Sequence, residues 1–107
     1  MLNNKITFEV SSKIPLHKYF SQAFVQHMIN SMIVAYHKYG DFSKRQKEKG
    51  YENAVKCIFV RLEMYEKTGN TEWLIDVANC CLIEFMYPVH PKAHFRPTSS
   101  EESPGID

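Results

Sequence analysis

Between Glu72 and Pro88 the chain reads Glu-Trp-Leu-Ile-Asp-Val-Ala-Asn-Cys-Cys-Leu-Ile-Glu-Phe-Met-Tyr-Pro, a helical stretch apolar over most of its circumference. A helix of that kind normally lies at the centre of a bundle, because each of its sides has to be covered. Pro88 stops it, since the residue before a proline is pushed out of the α region. Asp76, Asn79 and Glu84 are polar residues on this helix. Polar groups that are buried must be hydrogen-bonded or put to use.

Two further segments can pack around such a helix. From Pro15, a first-turn proline, the residues Leu16, Phe20, Phe24, Met28, Met32, Ala35 and Tyr36 recur at helical spacing up to Gly40. This predicts a helix over 15–39. Ala54, Val55, Ile58, Leu62 and Tyr65 form the apolar stripe of a second helix over 51–68, closed by Gly69. Asn70 or Thr71 then caps a third over 71–87. The link between the last two is so short that they must form an antiparallel hairpin, with Leu62 and Trp73 buried across it. Residues 41–50 are read as a loop or a short helical turn capped by Asp41 or Ser43. Lys5–Val10 alternates apolar and polar residues, as a short strand-like arm does.

The fold class expected is therefore all-α: a small bundle of three main helices, with a strand-like N-terminal arm and an extended C-terminal tail. Residues 1–87 make one helical domain and 88–107 the tail, which holds four of the five prolines. A chain of 107 residues is long enough for a single core.

A formal net charge of +1 gives no global field toward nucleic acid or membrane. The basic run from Lys44 to Lys49 lacks interleaved aromatics and reads as a solvated loop. No stretch approaches a membrane span, and the first ten residues lack the apolar run of a secretory leader. Cys57, Cys80 and Cys81 are odd in number and lie inside predicted helices, which fits a reducing cytoplasm better than a disulfide framework. Cys57 has no evident base to make it a nucleophile. The reading leans away from an enzyme.

Two groups of residues are candidate sites. His90, Lys92, His94, Phe95 and Arg96 follow the apolar helix directly. Cations beside an isolated aromatic suit a partner's acidic or phosphate-bearing face. His90 and His94 also have a spacing found in zinc sites, but Pro91 breaks any helix that would align them. The second group comes from the hairpin. Glu63 and Asp76 are about equally far from its turn, with Glu66 and Asn79 one helical turn beyond each. Converging oxygen ligands of this kind suit Mg²⁺ and, through it, a phosphate.

Glu63-Met-Tyr-Glu66 followed by Asp76-Val-Ala-Asn79 resembles the metal-binding signature of MazG-like all-α nucleotide pyrophosphohydrolases. The first half matches, and the second departs at both positions. The likeness implies Mg²⁺-dependent binding of a nucleotide, with hydrolysis put in doubt by the two missing carboxylates. A broader likeness covers the C-terminal forty or so residues. Thr68–Asn79, Glu84–Pro88 and His90–Gly105 resemble small helical proteins of bacteriophages and prophages. That resemblance implies the cytoplasm of a bacterial host and a non-enzymatic protein that binds a host protein or nucleoprotein complex. Inhibition of a bacterial defence system, in the manner of anti-CRISPR proteins, is the form it implies. It needs no cofactor. A homodimer is a further partner to consider, and the MazG-like nucleotide binder is the alternative.

Overall fold

The computed structural model describes residues 15–48 and 53–99. A 3-10 turn covers Leu16–Lys18. Four helices follow: α1 (Gln22–Tyr39), α2 (Phe42–Arg45), α3 (Ala54–Thr68) and α4 (Glu72–Met86). The described residues contain no strand, and the expected arm over Lys5–Val10 lies outside them. The protein is all-α, with three main helices, as its apolar periodicity requires.

The first helix starts later than its periodicity indicates. Pro15 opens a 3-10 turn, with Lys18 N–H donating to its carbonyl at 3.0 Å. The α-helix proper begins only after Ser21, whose hydroxyl accepts from Phe24 N–H at 3.0 Å. Leu16 and Phe20 have the right spacing for α1 but precede its cap. Replacing Ser21 by alanine should lower stability by about 1 kcal/mol in urea unfolding.

The remaining boundaries follow local chemistry. Gly40 ends α1 at φ 86°, donating to Tyr36 O at 2.8 Å. Asp41 caps α2 by accepting from Ser43 N–H at 2.9 Å and from its hydroxyl at 2.6 Å. Asn53 caps α3 through Lys56 N–H at 3.0 Å. Gly69 closes α3 in the left-handed region, φ 70°, where a side chain would be strained. Of the two candidates before α4, Asn70 supplies the side-chain bond: its Oδ1 accepts from Glu72 N–H at 3.0 Å, while Thr71 makes none.

Helix α4 packs along α3 as an antiparallel hairpin and carries α1 on another side. It is the central helix, but it is not covered all round. Ile75 and Asn79, one turn apart, are its buried residues, whereas Leu82, Phe85 and Met86 are exposed. Helices α1 and α3 cover two sides of α4 and leave the third open. Leu62 corrects the expectation of a residue buried across the hairpin, since it is 38% exposed, and Trp73 is only half-buried. Ile75→Ala should therefore cost about 2–5 kcal/mol and Leu62→Ala about 1 kcal/mol, both read from urea midpoints.

Candidate functional site

Two long-range hydrogen-bonded residues set the position of the tail. Gln46, just past α2, is 7% exposed. Its Nε2 donates to Glu84 Oε1 and to Tyr87 O, both at 2.9 Å, and its Oε1 accepts from Ala54 N–H at 2.7 Å. Glu84 uses its other oxygen, Oε2, to accept from Val89 N–H at 3.0 Å. One side chain thus joins the end of α2, the start of α3 and the end of α4, and the carboxylate it meets holds the first residues after Pro88. Glu84 is on α4 to anchor the tail. Gln46 had no signal in the sequence except as an uncharged residue within a basic run.

Beyond Val89 the tail folds on itself. Ala93 N–H donates to His90 O at 3.1 Å, and Lys92 N–H donates to His90 Nδ1 at 3.0 Å. Lys92 O accepts from His94 Nδ1 at 2.8 Å, so Nδ1 of His94 carries a proton. The two imidazoles shape one turn, Nδ1 of His90 as acceptor and Nδ1 of His94 as donor. This turn brings Ala93, His94 and Phe95 alongside the open side of the hairpin. Ile58 of α3, Cys81 and Phe85 of α4 and Pro88 form the other wall of a groove of about 480 Å³.

The groove is apolar over most of its lining, with Glu84 and His94 as its polar members. Phe85 is 72% exposed and Phe95 80% exposed, so both rings stand at its mouth with faces free for contact. Val55, Phe59 and Leu62, spaced along one face of α3, extend the apolar surface and are exposed as well. Of the tail residues marked by their chemistry, His94 and Phe95 line the groove, while His90 and Lys92 build the turn that places them. Arg96 follows Phe95 directly and is exposed.

The second group does not converge. Glu63 pairs with Lys67 at 3.0 Å on the exposed face of α3, and Glu66 is exposed. Asp76 and Asn79 instead line an inner cleft with Arg61. Asp76 Oδ2 lies 4.0 Å from Arg61 Nε, and Asn79 Nδ2 donates to Met28 O at 3.0 Å. Among the described residues no three His, Cys, Asp or Glu side chains are grouped so as to hold a metal ion. Equal height along a hairpin is not enough: Glu63 and Glu66 face one side of it, Asp76 and Asn79 another.

Burial is the main reason the Asp76 carboxyl sits above the ordinary carboxylate range. The Arg61 charge opposes it and Glu72 adds to it. The folded state therefore binds this proton more strongly than the unfolded chain. Asp76 works against stability at neutral pH, and that effect fades as pH falls through its folded pKa. Burial also pushes the Cys80 thiol up to about 11, whereas Cys81 is exposed at the outer groove. At pH 8, iodoacetamide should alkylate Cys81 first and Cys80 much more slowly, as mass spectrometry of timed samples would show. Equal rates would contradict the burial difference.

No family model matches the chain, and no curated protein or solved structure matches it. No helix among the described residues is long and apolar enough to cross a membrane.

Proposed function

We propose that this chain is a non-enzymatic binding protein of phage or prophage origin. It acts in the bacterial cytoplasm on a host protein or nucleoprotein complex and inhibits a defence system. Its contact surface is the groove between α3, α4 and the tail. One observation carries the reading: large apolar side chains stand in solvent beside this groove, while among the described residues the buried apolar ones are Ala54 and Ile75. Large apolar side chains gathered in one exposed patch mark an interaction surface. Exposed aromatic anchors are what a protein interface presents, and they supply most of its affinity. The partner surface that fits is apolar at its centre. The phage and defence setting rests on the resemblance of residues 68–105 to phage proteins.

The test compares wild-type protein with Phe85→Asp as bait in a bacterial lysate. A host protein retained by wild type and released from the variant, with unchanged helical circular dichroism, supports the reading. Identical retention by both would contradict it.

A further inference from the structure

The register of the α3–α4 hairpin sets two of the three cysteines opposite each other. Arg61 Nε lies 4.0 Å from Asp76 Oδ2, which fixes how the two antiparallel helices are aligned. Four residues back along α3 stands Cys57, and four residues on along α4 stands Cys80. One turn taken in opposite directions keeps both on the same seam and at the same height. A second contact bounds them from the other end. Gln46 accepts from Ala54 N–H at 2.7 Å and donates to Glu84 Oε1 at 2.9 Å, which ties the first residue of α3 to the last turn of α4. Cys57 and Cys80 therefore lie between two measured contacts that join the helices. Both are half-buried and line the inner cleft, whereas Cys81 is exposed and lines the outer groove with Ile58. Burial is the main reason the Cys80 thiol is pushed up to about 11. Arg61 opposes it, and Cys57 adds to it as a neighbouring acidic group does.

We propose that Cys57 and Cys80 are a modification site, at which hydrogen peroxide forms a reversible disulfide that staples α3 to α4. Cys80 is held protonated at neutral pH, so the first attack falls to Cys57. Its thiolate takes one oxygen of the peroxide, the O–O bond breaks and hydroxide leaves. Cys57 is then a sulfenic acid. The Cys80 sulfur displaces that hydroxyl: the S–O bond breaks, the S–S bond forms, and the hydroxyl leaves as water with the Cys80 proton. Two thiols are oxidised, and one peroxide is reduced to two waters. Cys80 and Cys81 do not pair instead, because successive side chains on a helix point about 100° apart. In a reducing compartment the bond is transient, opened again by small thiols.

The experiment treats dilute full-length protein with hydrogen peroxide, blocks the remaining thiols with N-ethylmaleimide and digests with trypsin. Cleavage after Lys56, Arg61, Lys67 and Lys92 puts Cys57 in peptide 57–61 and the other two cysteines in peptide 68–92. Wild type and Cys81→Ser should both give these peptides joined within a monomer, and dithiothreitol should release them. Cys57→Ser and Cys80→Ser should give no such link, with circular dichroism reporting that each variant is folded. The linked Cys81→Ser protein should melt about 10 °C above its reduced form, because the bond restricts the unfolded chain. The proposal is overturned if Cys81→Ser yields only sulfinic acid and no link, or if a folded Cys80→Ser links through Cys81 as fully as wild type. It is also overturned if the linked protein melts below the reduced one, since the two thiols would then have been forced together.

Discussion

Gln46→Ala should lower the stability of the fold by about 3 kcal/mol, more than any other single polar substitution among the described residues. The side chain is almost fully buried and makes three hydrogen bonds to groups far apart in sequence. Its removal leaves the Ala54 N–H buried without an acceptor. It also removes the amide donor that Glu84 Oε1 and Tyr87 O share. Buried groups left unpaired cost more than the bonds themselves are worth, because water cannot replace the partner. Gln46→Glu is the informative companion. It keeps an acceptor for Ala54 but sets a carboxylate against Glu84, so it should be as destabilising as alanine at neutral pH. Urea unfolding followed by circular dichroism decides the matter. A loss below about 1 kcal/mol for both variants would show that α2 does not hold α3 and α4 together.

The second large effect concerns the groove. A chain ended after Val89 keeps the bond from Val89 N–H to Glu84, so its melting temperature should stay close to that of the full chain. It lacks His90, Lys92, His94, Phe95 and Arg96, and with them one wall of the groove. Affinity for the partner retained by the wild-type bait should fall by at least about thirtyfold, equal to about 2 kcal/mol, the size of an aromatic hot spot. Phe95→Ala should account for much of this loss. Lys92→Ala should mainly slow association, with a dependence on salt. A truncated chain that melts much earlier would make the tail part of the packing. One that binds as tightly as the full chain would remove the tail from the site.

These two expectations rest on different parts of the sequence. The helices were legible because their signals are local. Gly40, Gly69, Pro88 and the spacing of Ala54, Ile58 and Leu62 act within a turn or two of where they stand. Ser21 was hidden because Leu16 and Phe20 continue the apolar period through the cap and mask it. The outward face of α4 was hidden for another reason. Apolar residues around a whole helix say that cover is needed, but not whether this chain or a partner provides it. Phe85 belongs to the part this chain leaves open. Gln46 and Glu84 are 38 residues apart, and no local pattern joins them. Asp76 and Asn79 were marked as polar residues on an apolar helix. Their company, Arg61 and the carbonyl of Met28, came only with the packing of α1 and α3 against α4.

Photo-cross-linking tests the central claim most directly. Benzoylphenylalanine is placed at position 85, at position 95 or, as a control, at the exposed Val34 of α1. Each protein is irradiated in a bacterial host during expression. Positions 85 and 95 should both give an adduct with the same host protein, and position 34 should not. An adduct of twice the chain's own mass at 85 and 95 would instead make the partner a second copy. No adduct at either groove position, or equal adducts at all three, would contradict the assignment of this groove as the binding surface.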